Sequence, residues 1–382
     1  MSGMKSNLRV TMISKACLVG AYQTKLEEIA AHEGIDLTVV VPRSWRQGGH
    51  LLRLERAHTA GYRLIVAPIA FSGRFHRHFY PTLPSILSET RPTLCHVDEE
   101  PYNLATYLAV RAARRLGART LFFTWQNLMR RYPPPFRWME SYVYRNADGA
   151  IAGSQGAADV LRSKGYNGPL RVIPQFGVDP TVFHPVSRPD QEGTLSVGYA
   201  GRLVREKGLD TLVEALATLP GSWELVLCGV GPMRDELVAR FSTLGLAERV
   251  TYNGQVPSRD MPNYLAMMDV LVLPSLTRPN WKEQFGRVLI EAMSCEVPVI
   301  GSDSGEIPRV IGDAGLVFPE GDARALRGLL AMLRADPAHR RDLGVKGRKR
   351  VLANYTQAEI AAQTVAFYRA VCTGCFASQE PV

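Results

Sequence analysis

Short apolar runs alternate with amphipathic stretches along the whole chain. Arg9 to Ile13 (Arg-Val-Thr-Met-Ile) reads as a first strand. Leu37 to Val41, ending at Pro42, is a continuous β-branched run, the pattern of a strand buried on both faces of a parallel sheet. Tyr62 to Ala67, Leu94 to Val97 and Thr120 to Phe123 repeat the type, with helical patterns between. Tyr102 to Leu116, stopped by Gly117, is the clearest of these helices. Strands alternating with helices imply right-handed βαβ units.

The pattern then breaks and restarts. Val172-Ile173-Pro174, Gly177-Val178-Asp179-Pro180 and His184-Pro185 lead into a polar stretch, Ser187 to Gly193, which reads as a linker. New strands follow at Leu195 to Ala200, Trp223 to Cys228, Arg249 to Tyr252, Val270 to Leu273 and Val297 to Ile300. The expectation is two doubly wound α/β domains in tandem. The first covers 1–185 and the second 186–355. A helix at Ala358 to Ala370, within 356–382, packs back toward the first domain and ends in a frayed tail from 373. Ligands of such sheets sit beyond the carboxyl ends of the strands, which implies a cleft between two facing domains.

Length agrees, since 382 residues make two sizeable domains. Apolar residues at 46% and charged residues at 21% exclude a disordered chain, a fibre and a disulfide scaffold. No apolar run reaches the roughly 18–20 residues a membrane helix needs. Leu64 to Phe71 is broken by Pro68. With no signal-peptide pattern and only six cysteines, the expected compartment is the cytoplasm. Cys372 and Cys375 form a CxxC with no second ligand pair, so no metal site is expected there.

Charge alters the picture. The net +9 is concentrated: residues 1–185 hold 23 Lys and Arg against 13 Asp and Glu, and the rest is close to neutral. Cations interleave with aromatics from Arg43, Trp45 and Arg46 through Arg74, Phe75, Arg77 and Phe79. An anionic membrane surface or anionic acceptor fits this pattern, as does a solvated basic face. Single-stranded nucleic acid would use similar residues, but no recognition module is present, so none is expected as a partner.

The second half carries the sharper chemistry. Gly201 to Gly208 (Gly-Arg-Leu-Val-Arg-Glu-Lys-Gly) follows a strand and places Arg202 and Lys207 in one loop, a pair suited to a diphosphate or to a solvated basic turn. Gly229 and Gly231 end the next strand, where glycine admits a ligand close to the backbone or simply forms a turn. Glu283, Phe285 and Gly286 precede a helix starting near Arg287 and Val288. Such a helix N-terminus suits phosphate, Glu283 can accept from sugar hydroxyls, and Glu291 falls one turn beyond Arg287.

In order and spacing, these blocks, with Val270 to Ser275, Val297 to Ile311 and Ala314 to Asp322, resemble the retaining glycosyltransferases of family 4, which have the GT-B fold. The resemblance covers most of 170–325. It implies metal-independent transfer of a hexose from a UDP- or GDP-sugar to a saccharide or lipid-linked saccharide, with no cofactor. Arg202 and Lys207 would hold the diphosphate and stabilise the leaving nucleotide. Glu283, with the backbone of Phe285 and Gly286, would orient the hexose. Glu291 would bind the ribose, and the backbone at Arg287 and Val288 would reach the phosphates.

Two departures stand out. Gln126 occupies the family's usual histidine position, where it can hydrogen-bond a donor sugar but not titrate near neutral pH. The glycine-rich first loop is reduced to Gly20, the candidate for contact with the donor phosphate or the acceptor. Asp98, Glu99 and Glu100 end a first-domain strand, placed for acceptor hydroxyls or for a helix N-terminus. A nucleotide-sugar epimerase or a catalytically silent nucleotide-sugar scaffold are the alternatives.

Overall fold

The computed structural model describes residues 7–186 and 193–376. The stretch 187–192, read above as linker, and residues 377–382 of the tail lie outside them. The chain divides into two units, 7–176 with 357–376, and 177–356.

The first unit is built on β1 (Leu8–Ile13), β2 (Ile35–Pro42), the antiparallel hairpin β3 (Ser44–Gln47) and β4 (His50–Arg53), β5 (Arg63–Ala67), β6 (Leu94–Val97), β7 (Arg119–Thr124), β8 (Gly149–Ala152) and β9 (Leu170–Val172). Seven strands form one parallel sheet in the order β5-β2-β1-β6-β7-β8-β9. The order reverses between β1 and β6, so a crevice opens beyond their carboxyl ends. Val39, Val40 and Val41 are fully buried, as their unbroken β-branched run requires. Helices α1 (Thr24–Ala31), α2 (Leu83–Thr90), α3 (Leu104–Arg115), α4 (Phe136–Asn146) and α5 (Gln155–Ser163) connect the strands. Ala105, Ala109, Val110 and Ala113 make the buried face of α3. The terminal helix Gln357–Thr373 completes this unit. Its Ile360, Val365, Phe367 and Tyr368 share a core with Leu26, Phe123 and Ile151, and the Tyr368 hydroxyl lies 2.7 Å from Nδ1 of buried His96.

The second unit holds β10 (Thr194–Ala200), β11 (Ser222–Cys228), β12 (Val250–Tyr252), β13 (Val270–Leu273), β14 (Val299–Ser302) and β15 (Leu316–Phe318). They pair in parallel in the order β12-β11-β10-β13-β14-β15, which reverses between β10 and β13. Helices α6 (Leu209–Ala217), α7 (Arg234–Thr243), α8 (Met261–Leu265), α9 (Arg287–Ser294), α10 (Ile307–Ile311), α11 (Ala323–Ala335) and α12 (Pro337–Asn354) cover it.

The division falls nine residues before the expected 185/186. Residues 177–186 pack on the second unit because the Val178 amide donates to the Tyr355 carbonyl (2.9 Å), and the buried Phe183 carbonyl accepts from Ser294 Oγ (2.6 Å). Strand β14 starts two residues later than its apolar run, since the Val297 amide still bonds the Ala292 carbonyl of α9 (3.0 Å).

Candidate active site

In the second unit the loops after β10, β11, β13 and β14 meet beyond the sheet. The first two are laced together: the Gly201 amide donates to the Cys228 carbonyl (2.9 Å) and the Leu203 amide to the Val230 carbonyl (2.9 Å). A Cβ on Gly229 would lie 1.9 Å from the Gly201 carbonyl oxygen. That close approach accounts for glycine there without a ligand. Gly208, at φ 67°, closes the β10 loop against β13's exit, and a Cβ on it would meet the Pro274 carbonyl at 1.8 Å.

This docking brings Lys207 to Glu283. Its Nζ lies 2.5 Å from Glu283 Oε2, which also accepts from Ser275 Oγ at 2.7 Å. The Lys207 ammonium also sits 5.3 Å from the centre of the Trp281 ring. Both members of the pair are largely buried. Arg202 differs: its side chain is 65% exposed, and its acidic neighbour Glu206 is 3.9 Å away, which leaves the guanidinium open to an incoming anion.

Gly286 adopts the left-handed conformation (φ 79°, ψ 54°) and starts α9. Arg287 and Val288 are thus the first two residues of the helix, where amides have no carbonyl one turn back within it. Phe285 is buried, with its ring edge-on to Tyr355. Glu291 accepts from Arg287 Nε at 2.7 Å, and the same guanidinium reaches Ser258 Oγ at 3.1 Å. Burial pushes the Glu291 carboxyl above its ordinary range, and Arg287 pulls it partly back. These groups therefore gather at β10 and β13, the reversal of strand order where α/β sheets bind ligands.

In the first unit the corresponding reversal, β1 and β6, holds a second polar cluster. Asp98 Oδ2 accepts from Ser14 Oγ (2.7 Å) and Gln175 Nε2 (2.9 Å). Glu99 pairs with Lys15, and His78 Nε2 lies 3.4 Å from it. Burial acts to raise this carboxyl, but Lys15 and His78 outweigh it and hold it at about 2. Glu100 accepts from Thr124 Oγ1 (2.6 Å) and the Trp125 amide (2.8 Å), and burial pushes it up to about 7. Asp98 Oδ1, Glu99 Oε1, Asn103 Oδ1 and the Tyr80 hydroxyl are buried without a hydrogen-bond partner among the described residues.

Residues 23–182 match the model of Glycosyltransferase Family 4, and residues 184–350 that of Glycosyl transferases group 1. A GDP-mannose-dependent phosphatidylinositol monomannoside mannosyltransferase of Mycolicibacterium smegmatis is 30% identical over 359 residues, 86% of this chain and 88% of that protein. The chain belongs to glycosyltransferase family 4. Alpha-maltose-1-phosphate synthase of the same organism is 32% identical over 260 residues, 61% of this chain and 66% of that protein. Among solved structures, a sucrose-phosphate synthase from Thermosynechococcus elongatus superposes with a TM-score of 0.71 at 24% identity, covering 97% of this chain and all of the other. Anabaena HepE, solved with UDP, gives 0.72 at 18% identity over 95% of this chain and 99% of its own. The fold is accordingly GT-B, two Rossmann-like units.

In this family-4 glycosyltransferase, Arg202, Lys207, Glu283, Phe285, Gly286, Arg287, Val288 and Glu291 come together within the second unit. Gly20 does not offer the amide expected of it. That amide donates to Glu55 Oε2 (2.6 Å), so a carboxylate already occupies the position foreseen for a phosphate. Gln126 is also engaged: its Nε2 donates to the Leu128 carbonyl (3.2 Å), and its Oε1 accepts from Lys164 (3.4 Å), itself paired with Glu140. Sequence reasoning missed Lys164, Glu140 and Glu55, which no motif marks. It also missed Ser275, although the strand-end Pro-Ser pointed to it. Cys372 and Cys375 are free thiols. Among the described residues, no group of three or more His, Cys, Asp or Glu is placed to hold a metal ion. No helix among them is long and apolar enough to cross a membrane.

Proposed function

We propose that this glycosyltransferase moves a hexose from a UDP- or GDP-sugar to a saccharide or lipid-linked saccharide, with retention and without a metal ion. The observation that carries the reading is the exposed Arg202 beside the Lys207–Glu283 pair at the β10/β13 reversal. Arg202 and Lys207 hold the diphosphate and stabilise the negative charge that develops as the C1–oxygen bond breaks. The acceptor hydroxyl forms its bond to C1 on the face the nucleotide leaves, and its proton passes to the departing phosphate oxygen. No titrating side chain is then needed at Gln126.

Glu283 orients the hexose hydroxyls, and Glu291 those of the ribose. Asp98, Glu99 and Glu100 line the acceptor side, where buried acceptor oxygens lacking donors favour a hydroxyl-rich partner.

A thermal-shift panel of UDP, GDP, ADP and their sugar conjugates, with and without EDTA, tests the reading. One nucleotide is expected to raise the midpoint equally with and without EDTA. Arg202→Ala should abolish that shift while changing unliganded stability by under ~0.5 kcal/mol, as at an open surface site. Lys207→Ala should abolish it and also cost about 2–3 kcal/mol, because Glu283 stays behind half-paired. Absence of a response to every nucleotide would overturn the donor-site reading.

A further inference from the structure

The first unit presents a cationic and apolar surface that the donor chemistry does not use. The hairpin register pairs Arg46 with Leu51 and Ser44 with Arg53, so Arg46, Leu51 and Arg53 share one hairpin face. The 71–79 loop lies against it: the Arg46 amide donates to Ser72 Oγ (3.1 Å), and a Cβ on Gly73 would touch the Arg46 side chain at 3.1 Å. Leu51, Phe71 and Phe75 are 49%, 61% and 41% exposed, far from the burial such side chains normally reach. Arg46, Arg53, Arg74 and Arg77 are exposed, and none forms an ion pair among the described residues.

The surface is tied to the fold beneath it. Phe71 sits at φ 55°, a left-handed conformation unfavourable for an aromatic residue, yet its ring faces solvent. Beneath the loop, Lys15 lies 4.5 Å from the Phe75 ring centre and 5.6 Å from that of Trp45, and Trp45 packs edge-on to His78 at 4.9 Å. Lys15 and His78 are the partners of Glu99, so the patch is fastened to the β1/β6 reversal.

We propose that the β3–β4 hairpin and the 71–79 loop dock this enzyme on an anionic lipid bilayer. The arginines face lipid phosphates while Leu51, Phe71 and Phe75 enter the headgroup boundary. The aliphatic Leu51 has no stacking partner in a nucleic acid, which favours lipid over polynucleotide. The inference specifies the surface by which the proposed lipid-linked acceptor is met. Docking is measured without donor or acceptor, so its failure and that of the transfer reading are separate.

Flotation of the full chain with phosphatidylcholine vesicles, with and without about one third phosphatidylglycerol, provides the test. Binding to the anionic vesicles alone is expected, weakening as salt rises. Each arginine contributes roughly a fivefold factor in partitioning, so Arg74→Ser with Arg77→Ser should lose about 20-fold or more. Phe71→Ser with Phe75→Ser should lose roughly tenfold or more. Lys346→Ser with Lys349→Ser, which removes two exposed cations from α12 in the second unit, should bind as the parent does. Far-ultraviolet circular dichroism checks that all variants are folded. No vesicle binding, equal binding by patch and control variants, or patch-dependent binding to a single-stranded oligonucleotide but not to vesicles would overturn the proposal.

Discussion

Two neighbouring carboxyls at the tip of β6 shift in opposite directions. Burial raises both, but Lys15 and His78 beside Glu99 outweigh it and hold that carboxyl at about 2, whereas at Glu100 the hydrogen bonds from Thr124 and the Trp125 amide and the pull of Lys15 do not offset burial, and the carboxyl rises to about 7. The stability that Glu99 contributes is present above its unfolded value near 4.5 and is lost as pH falls toward 2. Glu100 has the reverse sign. Between about 4.5 and 7 the folded chain binds more protons at this site than the unfolded chain, so stability falls as pH rises through that window. The effect is at most about 3 kcal/mol. Buried His96, lowered to about 3, acts in the opposite direction over this range, so the contribution of Glu100 is read as the difference between the parent and Glu100→Gln in urea unfolding at pH 5 and pH 7.5. The variant should carry a fixed loss of roughly 1–2 kcal/mol for the amide group set against the Trp125 N–H, and should gain stability relative to the parent on going to the higher pH. An unchanged slope in the variant would assign the titration to another group.

Among the elements, the β10 loop matters more than its length suggests. Its geometry is fixed by Gly208 against the Pro274 carbonyl and by the Leu276 amide donating to the Glu206 carbonyl (2.8 Å). Gly208→Ala places a Cβ where that carbonyl stands, so the loop must move and separate Lys207 from Glu283. A loss of roughly 2–4 kcal/mol is expected, together with loss of nucleotide binding. Gly117→Ala is the control. Gly117 is also left-handed (φ 75°), but a Cβ there meets nothing within 4 Å, so only the backbone term of about 1 kcal/mol applies. Similar losses for the two variants, measured by denaturant unfolding, would mean that the Gly208–Pro274 approach is relaxed easily.

For the whole molecule, the terminal helix belongs with the first unit although it follows the second in sequence. Ile360, Val365, Phe367 and Tyr368 are each buried to within a few per cent. At about 1.5–3 kcal/mol each, they represent most of the net stability of a typical domain. Removing residues 357–382 should therefore unfold the first unit at ordinary temperature while the second keeps its core. Limited proteolysis of the truncated chain should leave a fragment near 177–356. Digestion of both units at equal rates would show that the second depends on the first.

The sequence by itself determined the repeated strand–helix alternation, the two-unit division to within about ten residues, and the family. Each rests on local periodicity, strand-end glycines and fixed spacing, which a linear reading can detect. The loop after β10 and the block from Glu283 to Glu291 were legible for the same reason, since every member lies within a few residues of a strand end or helix start. The tertiary structure alone decided which side chains are committed to one another. Lys207 with Glu283, Glu55 on the Gly20 amide, Lys164 on Gln126 and Lys15 with Glu99 join residues 35 to 84 positions apart. Such pairs depend on which strand tips become neighbours, and strand order is set by packing of the whole sheet rather than by any local pattern. The β3–β4 hairpin was missed on the same grounds. Its cations and aromatics were visible along the chain, but the register that puts Arg46, Leu51 and Arg53 on one face exists only once the two strands pair.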